Sequence, residues 1–521
     1  YNGAGTGTGI YLYESDYNTI EMNYANFNND IGIYLESSNN NTILENNVNY
    51  NDDGIALVHS HDNYVWDNSV NSNDLNGIYL YYSWFNDVWN NTANSNGWGT
   101  EAGILLYESD YNTIEMNYAN FNWGDGIYLD FSDNNDVWNN TANYNDLSGI
   151  YLDNSDINNV WNNYVNFNDG DGINLYYSDN NDVWSNTAYF NGLGTEAGIF
   201  LYASDYNTIE MNYAAFNYGD GIYLYNSWFN EVWNNTANYN DRNGIFLDFS
   251  DNNDVRNNTA NYNDRHGLIF DYCSNNTIIG NTAKESLDGI QLYYSYNSTV
   301  YENIVNNNSH NGVRLFNSNN INVSGNIATG NYYNGIYLHF SNTSTISENI
   351  VTDTFYDGIF LYYSNNNTIS NNIANYNLNG VYLNYSSNNN IVSGNIANYN
   401  DNNGIILNAS NSNLIYNNIF SNNSGYNGVD DSSNNYWDNG TLGNYWGDYN
   451  YYDNDGDGIG DLPYNIPGSA GSRDNFPIWN IRDEISPTIG IFAPEPNDLF
   501  GITAPSFNVK IYDANLDTMW Y

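Results

Sequence analysis

The densest set of oxygen ligands in the sequence is Asp453-Asn-Asp455-Gly-Asp457-Gly-Ile459-Gly-Asp461. Carboxylates at loop positions 1, 3, 5 and 9, glycine at 6 and a main-chain carbonyl at 7 suit Ca²⁺, a hard cation held by several oxygens on a tight turn. Position 12 is Tyr464 rather than glutamate, so the loop departs from an EF-hand, and a solvated acidic turn is the other reading. A second set is aromatic: Trp66, Trp89, Trp138, Trp161, Trp184 and Trp233 recur at one position of a repeat. Rows of indoles with Asn and Asp beside them suit sugar rings, but they equally suit covering the backbone or packing against another copy. A third set is cationic: Arg242, Arg265, His266 and Lys284, with Arg256 among them. Arg242 and Arg265 each follow an aspartate, Asp241 and Asp264, so local charge compensation competes with a catalytic role.

Composition limits what these residues serve. The 521 residues carry 60 Asp+Glu against 8 Lys+Arg, a formal charge of −52, which excludes a basic surface for nucleic acid or anionic membrane. Residues 1–241 contain no Lys or Arg. Hydrophobic residues make up 41%, enough for a folded core, and no apolar run approaches the roughly 18 residues of a membrane span. The single Cys273 excludes an intramolecular disulfide, and its place in a serine column makes it a small core residue. His59 and His61, two apart, would share a strand face, yet without a third ligand nearby they do not amount to a copper or zinc site.

A repeat sets where these residues fall along the chain. A glycine opens a Gly-Ile-x-Leu unit at 18 places from Gly9 to Gly404, about 23 residues apart. Short alternating strands at that period predict a parallel β-helix, with coils about 4.8 Å apart and like residues stacked. Counting from each glycine, positions +1, +3, +11 and +16 are apolar and face inward. Asparagine occupies +14 in 17 of the 18 coils, with Gly394 the exception, and serine recurs at +6; both columns predict side-chain ladders along the coils. Residues 9–30, 103–125 and 198–220 are near copies, which marks duplication of a four-coil block. The glycine-rich insertions at 97–102 and 192–197 would then recur roughly 19 Å apart.

These coils resemble the right-handed parallel β-helix repeats of the NosD-like, carbohydrate-binding and sugar-hydrolase group found in archaeal and bacterial secreted proteins. The expected fold is all-β: a right-handed parallel β-helix of about 18 coils over 1–427, a C-terminal cap with the Ca²⁺-type loop over 428–484, and an incomplete immunoglobulin-like module over 485–521. The resemblance implies an extracellular or cell-surface location, with polysaccharide or other copies of the chain as partners; the many Asn-x-Ser/Thr sites follow mostly from the repeat itself and admit N-glycans without requiring them. Uronate lyases among β-helices neutralise substrate with Lys or Arg, which residues 1–241 lack. The Gly-His-Gly and Asp-Pro-His signatures of related enzymes are also missing. The expected role is a non-catalytic scaffold or adhesin that binds glycan or self-assembles through repeated aromatic faces. The alternative is a polysaccharide-active lyase or hydrolase with a cleft near residues 242–314.

Overall fold

The computed structural model describes residues 7–97, 101–194 and 196–479, and the backbone of 488–493 and 508–512. It divides into two compact units, Tyr1–Ser286 and Leu287–Tyr521. The described elements are all strands, and the coils form a right-handed parallel β-helix. In the first unit, twelve strands from Ile10–Tyr13 to Leu268–Asp271 stack in parallel as one face and twelve from Thr19–Glu21 to Thr277–Ile279 as a second. A third side is joined mainly by single bridges such as Tyr24↔Asn47 and Thr141↔Tyr164. The second unit has seven strands on the first face, ending at Gly428–Asp431, and six on the second, and its third side matures into a six-stranded sheet. The rung Gly428–Asp431 pairs with Ile405–Asn408, so one coil more than the glycine marks indicate enters the segment expected to be cap.

Register follows from the inward columns. Ile33, Leu35, Ile43 and Val48 of one coil are fully buried, and the residues paired with them in adjacent coils are of like kind. Glycine opens each coil because of close approach rather than turn conformation. A Cβ on Gly32 would lie 2.2 Å from a methyl of Val48 and 2.7 Å from the Gly54 carbonyl.

Between strands the chain turns at corners that place non-glycine residues in the left-handed region: Glu14, Tyr17, Met22 and Phe27 in the first coil, with φ of 46°, 59°, 55° and 59°. Such a conformation costs an L-residue about 1–2 kcal/mol. The residue after each corner repays it with hydrogen bonds. Asn140 donates its N–H to Asn163 Oδ1 at 2.9 Å and its Nδ2 to the same oxygen at 3.1 Å. Asn163 in turn donates Nδ2 to the Val137 carbonyl at 2.9 Å. Serine does the same at +6, where Ser132 N–H donates to Ser155 Oγ at 2.9 Å. Two further asparagine ladders run at +9 and +19, shown by Asn135 to Asn158 and Asn145 to Asn168. Gly394 is no break in the +14 ladder. The longer coil shifts the frame by one, and Asn372 passes the chain of bonds through Asn395 to Asn418.

In the second unit this ladder ends in the cap. Asn418 N–H donates to Asn444 Oδ1, and Asn444 N–H donates to Asp474 Oδ2 at 2.7 Å. Trp437 and Trp446 close the core there, their indole N–H groups bonded to the buried carboxylates of Asp430 and Asp474 at 2.9 Å. Beyond it, Thr488–Ala493 pairs antiparallel with Asn508–Tyr512 around a bulge; the remainder of the expected immunoglobulin-like module lies outside the described residues.

A fifth column, immediately before the coil glycine, carries Asp or Asn in twelve of the eighteen coils. Asp125 Oδ1 accepts the Ser148 N–H at 2.7 Å, Asp171 Oδ1 the Ala197 N–H at 2.6 Å, and Asn76 Oδ1 the Ala102 N–H at 2.9 Å. Burial pushes Asp125 and Asp171 up to about 7, against the opposing pull of those N–H donors, and Asp53 and Asp357 up to about 6.

Two outcomes follow. Asn163→Ala strips the acceptor from two buried donors and should destabilise by about 2–3 kcal/mol in urea unfolding. Asn162→Gly, at the exposed left-handed corner beside it, should stay within about 0.5 kcal/mol of the parent. The raised carboxyls bind protons in the folded state that the unfolded chain has released. Their stabilisation is therefore complete below the ordinary aspartate value near 4 and lost as pH rises through 6 to 7. Urea midpoints should fall from pH 5 to pH 8, and Asp125→Asn, which installs the column's other resident, should raise the midpoint at pH 8 and flatten the slope.

Candidate functional site

The six tryptophans stand at the ends of second-face strands. Trp66 stacks on Trp89 with centroids 4.8 Å apart, and Trp138, Trp161 and Trp184 form a run at 4.7 and 4.8 Å with planes within 2°. Glu115 interrupts the row between Trp89 and Trp138, and Glu210 separates Trp184 from Trp233. The rings are half-buried and turn their faces to one another, so within each run they offer solvent little ring face.

A longer and more exposed aromatic column lies at the corner at +18, which the sequence reading did not single out. Phe121, Tyr144, Phe167, Phe190, Phe216, Tyr239 and Tyr262 stack without a break, with centroids 4.8–5.5 Å apart. All have left-handed φ, between 55° and 58°, because each precedes a ladder residue, which is Asn in all seven coils. The backbone there points the side chain outward. The centroid spacing exceeds the about 3.5–4.0 Å of atomic contact, so each ring is offset and shows an edge to solvent. The signal was an aromatic residue immediately before the +19 Asn, as in the Phe121-Asn122 and Tyr144-Asn145 pairs.

The cationic candidates separate. Arg242 points to a cleft of 330 Å³ that it lines with Asp171, Glu196, Phe200 and Tyr223, and its guanidinium lies 4.0 Å from the fully buried Asp220. Phe200 and Tyr223 stack along one wall at 5.0 Å, and Phe246 continues the stack beyond the cleft at 4.7 Å. Asp171 is satisfied on both oxygens, accepting the Ala197 N–H and Asn174 Nδ2. Arg265 sits one coil on, its N–H donated to the Arg242 carbonyl, and His266 donates its N–H to Asn243 Oδ1. Lys284 is on the third side, continuing an outer column of asparagines through its N–H to Asn261 Oδ1. Arg256 pairs with Asp254 and Glu231. The cleft therefore draws one of the four candidates, and its acids come from the pre-glycine column and the 192–197 insertion.

His59 and His61 do not share a strand face. His59 is a left-handed corner, φ 49°, stacked on Tyr82, whereas His61 Nδ1 accepts the Trp84 N–H at 3.1 Å and its ring stacks on Trp84. Cys273 is buried in the serine ladder, accepting the Ser250 N–H on Sγ, and burial drives its thiol far above the usual range. In the acidic loop, carboxylate oxygens of Asp453, Asp455 and Asp461 lie within 4.8 Å of one another. Desolvation raises Asp453, but the N–H groups of Gly458 and Gly456 outweigh it and hold the carboxyl below the ordinary value. Asp457 stands outside this group, its Oδ1 accepting the Ile459 N–H.

Known proteins resemble the chain mainly through these coils. Among curated proteins there is no match. Solved structures that align with it include the periplasmic alginate epimerase AlgG, at 13% identity over 64% of this chain and 76% of that chain with a TM-score of 0.29. The A-module of a mannuronan C-5 epimerase from Azotobacter vinelandii aligns at 13% identity over 71% and 90%, with a TM-score of 0.26. The Dettilon tailspike protein aligns at 12% over 61% and 60%, with a TM-score of 0.30. A family model described as a right handed beta helix region matches residues 197–351. The model of NosD, periplasmic copper-binding protein, matches residues 2–141, 119–238 and 288–451, and with most of its coils so covered the chain belongs to the NosD family.

Proposed function

We propose that the chain is a non-catalytic scaffold working outside the cytoplasm, at the cell surface or beyond it, and that it holds neutral polysaccharide on the aromatic corner column of its first unit. The observation that carries this reading is the unbroken run from Phe121 to Tyr262, an exposed apolar strip bordered by asparagine amides that suit sugar hydroxyls. The formal charge of −52 favours uncharged glycans over uronates or sulfated chains. Duplication of a four-coil block lengthens such a strip, whereas a single catalytic cleft gains nothing from copies.

The copper in the family's name does not transfer to a site here. Copper prefers imidazole and sulfur donors gathered at one point. His61 spends Nδ1 on a backbone N–H, Cys273 is buried in a ladder, and Met22, Met116 and Met211 recur one per four-coil block. Among the described residues the acids that do gather are Asp453, Asp455 and Asp461, a hard-oxygen set suited to Ca²⁺, and we read that loop as a calcium clamp on the cap.

A second reading is favoured by one observation: Asp171, pushed up to about 7 by burial, lies in the 330 Å³ cleft with a second acid, Glu196, and glycoside hydrolysis uses paired acids. Both Asp171 oxygens are already engaged by the fold, which argues for structure over catalysis.

Purified protein should be retained on insoluble cellulose, chitin or mannan without releasing reducing ends, and Phe121→Ser with Phe216→Ser should cut retention at least tenfold. Equal retention of that variant, or chain cleavage abolished by Asp171→Asn, would overturn the reading. Calcium should raise the melting temperature of the cap transition by several degrees, and Asp461→Asn should remove the gain; an identical calcium response in the variant counts against the clamp.

A further inference from the structure

The corner column of the first unit has one gap. Tyr50 stacks on Phe27 at 4.8 Å and Phe121 stacks on Tyr144 at 5.0 Å, but the two corners between them are Ser72 and Ser95. All four share left-handed φ of 58–60°, and the N–H groups of Tyr50, Ser72 and Ser95 bond successively to Asn71, Asn94 and Asn120 one coil ahead, so they belong to one column. The gap opens a cavity of 480 Å³ lined by Ser72, Asn73, Asp74, Ser95, Gly97 and Trp123. Ring to ring, Tyr50 to Phe121 spans three coil spacings, about 14 Å. Phe121 is 57% exposed, against 36% for Phe167 inside the stack, because its face toward Ser95 is uncovered. Trp123, 59% exposed, supplies a third aromatic wall.

The duplicated block shows that the gap is a departure and not a requirement of the fold. Ninety-five residues on, Ser72, Asp74, Ser95, Gly97 and Trp123 correspond to Phe167, Asp169, Phe190, Gly192 and Tyr218. There Phe190 stacks between Phe167 and Phe216 at 5.2 and 5.5 Å and closes the equivalent space. The same coils thus accept phenylalanine at both corners, where the first block carries serine.

We propose that this slot is a saccharide-binding site for an uncharged or amino-bearing hexose oligomer. A pyranose face rests on Phe121 or Trp123, and its hydroxyls reach the Ser72 and Ser95 hydroxyls and the exposed Asp74 carboxylate. Asp74, with Asp52 in the neighbouring coil, repels uronates and sulfates. The slot deepens the polysaccharide reading and rests on it.

The test is calorimetric titration of the whole chain with cellohexaose, chitohexaose, mannohexaose and a glucosamine hexamer. One of these should bind with a stoichiometry of one. Ser72→Phe with Ser95→Phe, a filling already present in the second block, should weaken it at least tenfold with the melting temperature preserved. Phe167→Ser with Phe190→Ser should raise the stoichiometry to two. Undiminished binding by the filled variant overturns the slot and leaves the column reading standing. Failure of the parent to hold any hexamer or insoluble polysaccharide overturns both.

Discussion

A backbone N–H at each corner of a coil is turned inward, beyond the reach of water and between strands that cannot pair with it. Leaving such a donor unsatisfied costs about 1–3 kcal/mol, and each coil has several. The ladder residue resolves this by accepting from one coil and donating to another, so a single amide serves its own turn and its neighbour's. In the first unit the +14 ladder runs from Asn23 to Asn281 through successive N–H to Oδ1 bonds. In the second it runs from Asn303 to Asn444 and stops on the Asp474 carboxylate. A ladder must end on something that accepts without needing to pass the bond on. A buried carboxylate, held as well by the Trp446 indole, does that and seals the apolar interior with the same stroke.

The ladder also determines what the outside looks like. Because the amide holds the turn in register, the residue before it is forced into a left-handed conformation with its side chain directed to solvent. Like residues then fall one coil apart, and aromatic ones stack. The outward corner is thus the place where this architecture lets side chains change without disturbing the core. Asn occupies many of these corners, including Asn90, Asn139, Asn234 and Asn257, because it tolerates left-handed φ better than most residues. Their Asn-x-Thr context follows from the repeat: the next Asn is the ladder and the Thr begins the third side.

Much of this was legible in the residues alone. The period, the inward Ile, Leu, Val and Ala columns, and the Asn and Ser ladders at +14 and +6 could all be read by counting from glycine. The ladders at +9 and +19 were not read, because outer asparagines such as Asn26, Asn49 and Asn71 crowd the same stretches and blur the column. Residue type could not separate them; hydrogen-bond direction does, the inner amides accepting from the coil before and the outer ones from the coil after. The extra rung at Gly428–Asp431 was hidden for a similar reason, since glycine and aspartate stand where Ile and Leu would be. The tryptophans drew the eye as large residues at a constant position, yet the corner column is more open, and only backbone conformation reveals that.

Acidity is built into the same scheme and explains why counting carboxylates does not locate chemistry. Asp110, Asp133, Asp156 and Asp179 form an outer ladder in which each Oδ1 accepts the next aspartate's N–H, ending at Asp205 and Trp228. The pre-glycine aspartates do likewise inside. An acid in these ladders has an oxygen engaged by the coil beside it before any ligand arrives. In a repeat of this kind specificity must be sought where a column breaks its own rule. The paired serines at 72 and 95, set between aromatic corners, are such a break in a block whose duplicate keeps the rule, and they open space on the outer surface without loosening the ladder beneath.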